Sequence, residues 1–420
     1  MTFDSVPNLT QDVRSRFAHV DACPFEGPRV FFENAGGALT LNSVIKTSTD
    51  YAGYPDNHAG RDNPAGVALR AAIEKGKADT RLLFNAPDGQ IFVGESGTEV
   101  LFRLVRTAAL GAKEGGTMLG STLEHPAQRS AMARWADVTG RPHLLAAHDD
   151  ATGTVTLDAY LPHITPDLRV ASIVQTSPVT GISVDVVAII KAIRATAPEC
   201  MIIIDGIQHA SHGHIDIASY GADGYAVSPY KVFSRHGYGI GWASDRLTAC
   251  TKETVIGGAP TSWDQGTRDA GAYATFSDVV GYFEWLGQQF TGSTDRRTQI
   301  LAAATAIHAQ EQALIHGMMH GVGNQRGLAG IPGVTVIGGI DNARREGVVS
   351  LTLDAMASGD LVTFLNSHGV RTHIRNNDHY CGNILGPLGL ENCIRVSISH
   401  YNTEAEVSQF LTAMNLAAAS

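Results

Sequence analysis

Short apolar runs that end in turn residues alternate along this chain with longer stretches whose apolar positions recur at helical spacing. Gln90-Ile91-Phe92-Val93 leads into Gly94-Glu95-Ser96-Gly97-Thr98, and Val100 to Leu110 then carries a helix-like pattern. Val170 to Val174 and Met201 to Ile204 read as buried strands, the second stopping abruptly at Asp205. Between them, Val184 to Ala195 reads as a helix with Asp185 near its start. Alternation of this kind predicts an α/β fold with a mostly parallel sheet and helices on its faces. Gly213 to Lys231 is rich in turn residues around a short apolar stretch, and Gly237 to Gly241 opens another strand. Thr275 to Gln289 and Gln299 to His320 are the two longest helical patterns. From Gly333 onward strands return (Val334 to Val336, Val348 to Leu353, Ile394 to Ser399), with helices over Gly359 to His368 and Glu404 to Met414. The pattern divides into a large domain over 31–290 and a smaller α+β domain over 291–420. Residues 1–30 form an N-terminal segment expected to pack on the small domain.

Composition narrows the function classes. A chain of 420 residues exceeds one ordinary core, and 44% hydrophobic with 17% charged residues is globular rather than disordered. A formal net charge of −10, with only seven lysines, argues against a nucleic acid or a membrane surface as partner. Met1 to Val20 lacks the apolar stretch of a secretory signal, and no run approaches the roughly 18 apolar residues of a membrane span. The five cysteines are odd in number and follow no metal-ligand spacing, which fits reduced thiols in a cytoplasm and no metal.

Candidate chemistry gathers at the carboxyl ends of the strands, where open α/β sheets bind ligands. Asp205 sits at such an end; a buried carboxylate there is either capped by backbone donors or paired with a cation. Lys231 ends Ser228-Pro229-Tyr230-Lys231 after the apolar Tyr225-Ala226-Val227. An amine so placed is partly desolvated and nucleophilic toward an aldehyde; the plain alternative is a surface lysine that snorkels. The other six lysines lie in polar or helical surface-like contexts, so Lys231 is the candidate for a Schiff base. Gly94 to Thr98, between a strand and a helix, offers backbone N–H groups and hydroxyls to an anion, or simply a helix cap. Glu124-His125-Pro126 is suited to placing an imidazole over a flat ring, or to being an ordinary loop.

Together these segments resemble the class V enzymes that depend on pyridoxal 5'-phosphate (PLP), the fold-type I group of cysteine desulfurases and selenocysteine lyases. The likeness begins at Phe32-Glu33-Asn34-Ala35-Gly36-Gly37, similar to the family's "DNAA" segment. It continues through Gly97-Thr98-Glu99 at the phosphate turn, and Glu124-His125, whose histidine stacks on the cofactor. Asp205-Gly206-Ile207-Gln208 resembles the DxxQ motif, in which the Asp pairs with the pyridinium nitrogen and the Gln with the ring oxygen. Gly221 to Lys231, with Ser228 and Tyr230, resembles the block that ends in the Schiff-base lysine. Gln265-Gly266-Thr267 resembles the turn that reaches the neighbouring subunit's phosphate, which implies a homodimer with its active site at the subunit interface. Arg395 to Glu404 resembles the "RxSxxxYNTxEEv" ending, whose arginine binds the substrate carboxylate. Three departures stand out. Tyr230 replaces a histidine, Pro178 in Ser177-Pro178-Val179-Thr180-Gly181 replaces an asparagine, and Arg375 to Cys381 is an altered, longer form of "RTGxHC".

The resemblance implies a PLP-fold transferase with Lys231, His125 and Cys381 as catalytic residues. The cofactor would be held by Gly97, Thr98, His125, Asp205, Gln208, Ser228, Tyr230, Lys231, Gly266 and Thr267, and a small amino-acid substrate by Arg395, Arg375 and Asn34. It implies C–S bond cleavage through a Lys231 aldimine, with sulfur passing to Cys381 and onward to a sulfur-acceptor protein. A thiol near Arg375 and His379 is expected to have a depressed pKa. The departures keep other reactions of the group open: an epimerase, a β-elimination lyase or an aminotransferase. A cofactor-retaining protein without turnover is a further alternative. Asn57, His58 and Arg61 are additional polar candidates for the pocket, with loop or helix-surface roles explaining them equally well.

Overall fold

The run Met201 to Asp205 is buried at every position, which a strand achieves only at the centre of a sheet covered on both faces. In the computed structural model, which describes residues 2–55 and 58–420, it is the middle strand of seven; Asn57 lies outside the described residues. The strands are β1 (Gln90–Gly94), β2 (Thr117–Ser121), β3 (His143–Ala146), β4 (Leu168–Val174), β5 (Met201–Asp205), β6 (Gly224–Val227) and β7 (Gly239–Ala243). Their order across the sheet is β1-β7-β6-β5-β4-β2-β3. Pairing is parallel from β6 through β3, and β7 runs antiparallel to both β1 and β6. The expected α/β architecture with a mostly parallel sheet is what the chain adopts.

Each face is covered by helices that the sequence starts cleanly. The helices are α1 (Pro64–Phe84), α2 (Gly97–Gly111), α3 (Pro126–Thr139), α4 (Val186–Thr196), α5 (Ala270–Gln288) and α6 (Arg296–His320). Ser96 caps α2 by accepting from Glu99 N at 3.1 Å, and Pro126 opens α3, where its missing N–H costs nothing. Leu101, Leu104 and Val105 of α2 pack with Met118, Val170 and Ile203 on one face. Phe276, Val279 and Phe283 of α5 belong to the larger cluster on the other.

A second sheet follows: β8 (Val334–Val336), β9 (Val348–Leu353), β10 (His373–Asn376) and β11 (Asn392–Ser397), antiparallel in the order β8-β9-β11-β10. It is backed by α7 (Ser358–Ser367) and α8 (Glu404–Ala418). Helix α6 serves both regions. Ile300, Ala303 and Ile307 join the large-sheet cluster, whereas Leu314, Ile315 and Met318 join the cluster under the second sheet. In the N-terminal segment, Phe3, Leu9, Val13 and Phe17 enter the large-sheet cluster, while Arg14 reaches Tyr401 O and Glu406 beside α8. No helix among the described residues is long and apolar enough to cross a membrane.

Helix α1 carries no clear apolar stripe in the sequence, and its buried face explains why. That face includes Gly76, Asp79 and Thr80 as well as Leu69, Leu83 and Phe84. A Cβ at Gly76 would press on the Tyr273 backbone, so a glycine is needed where α1 meets α5. Asp79 is buried because Lys75 and Arg296 both pair with it, at 2.5 and 2.7 Å.

The segment Ser177 to Gly181 is tied to the second sheet by one buried cation. Arg345, 1% exposed, donates to the carbonyls of Thr180, Ile337, Gly339 and Val348 at 2.7–3.1 Å. Ser350 Oγ donates to Val179 O alongside it, at 2.6 Å. Arg345→Met keeps the bulk but strands buried carbonyls, so unfolding free energy should fall by about 3 kcal/mol. Urea unfolding followed by circular dichroism checks this; an unchanged midpoint would show that the carbonyls find other partners.

Candidate active site

The carboxyl ends of β5, β6, β4 and β2, with the start of α2, converge on one cleft. Asp205 and Gln208 come from β5 and the turn after it, and Ser228, Tyr230 and Lys231 from the turn after β6. Thr176 and Pro178 follow β4, His125 follows β2, and Thr98 lies in the first turn of α2. The sequence thus anticipates most of the lining, and the fold brings together residues more than a hundred positions apart.

Among the described residues, Lys231 is the one amine lining this cleft. It is 9% exposed, and its Nζ donates to Gln208 Oε1 at 3.1 Å. Burial, and then the charge of Arg395, lower its pKa from 10.5 to about 7, although Asp205 pulls the other way. An appreciable fraction of the amine is therefore unprotonated at neutral pH. Burial raises the Asp205 pKa to about 6, while the Ile207 N–H on Oδ1 (3.0 Å) and the Lys231 charge restrain the rise.

His125 caps α3, with its Nδ1 accepting from Ala127 N at 3.1 Å, so a neutral ring carries its proton on Nε2. Burial first, then Lys231, Arg375 and Arg395, bring its pKa down to about 3. Gly97 has to be a glycine, because a Cβ there would overlap Ser228 Oγ and Ile207 Cδ1. It opens the 15-residue α2, whose N-terminal N–H groups are aligned to favour an anion.

Two arginines from the second sheet close the other side. Arg395 on β11 donates from Nη1 to Pro178 O at 3.0 Å, while its buried Nε has no partner among the described residues. Burial and the neighbouring Arg375 lower its pKa to about 10. Arg375 on the adjacent strand β10 donates from Nε to Cys381 Sγ at 3.1 Å.

Several expectations are corrected by these surroundings. Cys381 is fully buried in the large-sheet cluster, and burial raises its thiol pKa; Arg375 only offsets part of that. The depressed pKa read from the sequence therefore does not hold, because nearness to cations was visible there and desolvation was not. Asn34 does not line the cleft. Its Nδ2 donates to Ser397 O (2.8 Å) and its Oδ1 accepts from Tyr401 OH, so both ends fix the chain beside Arg395. Gly266 and Thr267, expected to serve a neighbouring subunit and not this chain's own cleft, are no part of that correction; they line a separate surface cleft with His58, Arg61, Arg268 and Tyr273. The sequence also gave no hint of a buried pair, His212 with Glu311, that stands behind Gln208. Its members are 99 positions apart.

The family model described as "Aminotransferase class-V" matches residues 30–410. A probable cysteine desulfurase of Xylella fastidiosa is 26% identical over 404 residues, covering 92% of this chain and 90% of that protein. An aminotransferase-like protein of Gibberella zeae is 25% identical over 419 residues, covering 97% and 98%. Among solved structures, a cysteine desulfurase from Escherichia coli superposes with a TM-score of 0.78 over 97% of this chain and 98% of its own, at 22% identity, a likeness of fold.

Keeping Lys231 dry has a cost that can be measured. An amine whose pKa drops from 10.5 to about 7 on folding destabilises the folded chain by on the order of 4 kcal/mol at neutral pH. Because the unfolded chain binds the extra proton between those values, wild-type stability rises with pH through that window. Lys231→Met should therefore be the more stable protein at pH 7 when no cofactor is present, with the gain shrinking as pH rises toward about 10. Denaturant unfolding at several pH values checks it; a gain absent at pH 7, or independent of pH, would contradict the desolvated amine.

Proposed function

The chain belongs to the aminotransferase class-V family, and from that premise we propose that it is a PLP-dependent enzyme that cleaves the C–S bond of a small amino acid, in the manner of a cysteine desulfurase. The observation that carries the reading is a buried lysine amine, pKa about 7, sharing one cleft with a buried carboxyl, a neutral imidazole and the first turn of a helix.

The residues present fit PLP. Gly97, Thr98 and Ser228 would hold its phosphate, Asp205 its pyridine nitrogen, Gln208 its ring oxygen, and Lys231 its aldehyde carbon, with His125 against the ring. When bound, the cofactor supplies an electron sink for the carbanion formed at the substrate's α-carbon. Asp205 and Lys231 each sit within about one unit of neutral pH, so Lys231 Nζ can take up and return a proton during turnover. Neutral His125 adds no charge to compete with Lys231, and its Nε2–H remains a donor. Arg395 keeps Nε for the substrate carboxylate, and Arg375 lies next to it on the neighbouring strand.

In the desulfurase reaction, the substrate's C–S bond breaks, an S–S bond forms to Cys381 Sγ, and the β-carbon gains a proton. Cysteine and the Cys381 thiol thus give alanine and a Cys381 persulfide, with no external oxidant. The relatives named as desulfurases support this assignment. A second reading rests on the burial of Cys381: a β-elimination needs no protein thiol and releases sulfide directly. Gly266 and Thr267, remote from Lys231, fit a role toward a second copy's cleft, and we read the enzyme as a cytoplasmic homodimer that hands sulfur to an acceptor protein.

Product analysis with L-cysteine separates the readings. The desulfurase reading expects alanine and sulfide in equal amounts in the presence of a thiol reductant, and at least about a tenfold loss of both in Cys381→Ala. Pyruvate and ammonia in place of alanine, with Cys381→Ala fully active, would replace it with the elimination reading.

A further inference from the structure

Behind the cleft, the turn that carries Gln208 continues into a buried histidine whose partner comes from another part of the fold. Lys231 Nζ donates to Gln208 Oε1, and this fixes which way the amide faces. Gln208 Nε2 then points at His212 Nε2, 3.4 Å away. An amide N–H can donate to that nitrogen only while it keeps its lone pair. The other ring nitrogen, Nδ1, lies 2.8 Å from Glu311 Oε2 and donates to it. Glu311 is 1% exposed and sits on α6 between Ile307 and Leu314, where the helix passes from one apolar cluster to the other.

A second proton on His212 reverses this arrangement. Nε2–H then requires Gln208 Oε1, the amide turns over, and its NH2 faces the Lys231 side instead. A protonated Lys231 loses its acceptor, whereas an anionic oxygen in the cleft gains a donor. We propose that His212, backed by Glu311, is a positioning residue whose second proton turns the Gln208 amide over and thereby competes with the proton on Lys231. The proposal rests on the reading of Lys231 as the cofactor lysine.

The surroundings favour such a proton. Burial is the largest single influence on His212 and opposes its charge, but Glu311 and Glu346 together outweigh it and the pKa is raised; burial raises Glu311 as well. Both directions mean that the pair binds a proton more readily than either group in water. The other charged or titratable groups acting on His212 are Glu346, which favours its proton, and Lys231, which opposes it. His209 and His400 also interact with it. His209 is itself paired with Glu346 at 2.7 Å, and His400 Nε2 lies 2.5 Å from Tyr282 OH.

One substitution, made with and without the Gln208 amide, tests the idea. Through space, Glu311→Gln removes a carboxylate, which lowers the proton affinity of Lys231, and with it the His212 charge, which raises it, so the amide's part is the portion of any rise that needs Gln208. Through the amide, Glu311→Gln keeps His212 singly protonated and Gln208 Oε1 on Lys231, so the affinity rises. The readout is the rate of the absorbance change when full-length chain, freed of cofactor, is mixed with PLP across a pH series. The cofactor's own titrations are common to wild type and variant and drop out of the comparison. The expected result is a rise of about one pH unit in the Lys231 midpoint, or about tenfold slower combination at pH 7. The rise should vanish when Gln208→Leu is combined with Glu311→Gln. A midpoint that falls or stays put, or a rise that persists without Gln208, overturns the proposal. His212→Gln cannot carry a proton and should give the same rise, again lost when Gln208→Leu is added, which keeps the test decisive if Glu311→Gln does not fold. A wild-type chain that gives no absorbance change overturns the cofactor reading, whereas a normal change with an unmoved midpoint overturns only the role of His212.

Discussion

An amine stays partly uncharged at neutral pH only if water is kept from it and positive charge is kept near it, and Lys231 meets both conditions. Burial is the larger influence, with Arg395 and Arg375 adding to it and Asp205 opposing it. Each condition comes from a different part of the chain. The sheet supplies the dry floor, because β5 and β6 are buried along their whole length. The second sheet supplies the guanidiniums, and Arg345 and Ser350 hold the Ser177 to Gly181 segment against it.

The cationic side of the cleft is held without a carboxylate. Among the described residues, neither Arg375 nor Arg395 has an acidic group within ion-pair distance; a sulfur and a carbonyl serve instead. A buried cation such as Arg395 without a counter-ion is costly, and its charge, with that of half-buried Arg375, helps depress Lys231 and His125. An incoming substrate carboxylate would relieve it.

How much of this the sequence reveals depends on the range of the cause. The strands over Val334 to Val336 and Val348 to Leu353 match to the residue, because apolar runs bounded by turns are local signals. Asp205, which ends a buried strand, and Lys231, in the turn after the next one, are legible locally too, whereas Gln208 and Ser228 come from the family resemblance. Helix α1 was not, because its buried face is made of glycine and polar side chains whose partners lie on α5 and α6. Cys381 was misjudged for the same reason: its cationic neighbours are close in sequence, whereas the core that buries it is assembled from distant segments. Asn34 has its two ends taken by Ser397 and Tyr401, more than 360 positions away, and no local pattern signals that.

The central claim is that Lys231 carries PLP, and the absorption spectrum of the purified, PLP-incubated protein before and after borohydride, followed by peptide mapping, tests it most directly. The account expects a band near the visible edge that disappears on reduction, with the reduced cofactor found on the Lys231 peptide and absent from Lys231→Met. A protein that remains colourless with added PLP, or a label on another lysine, would contradict it.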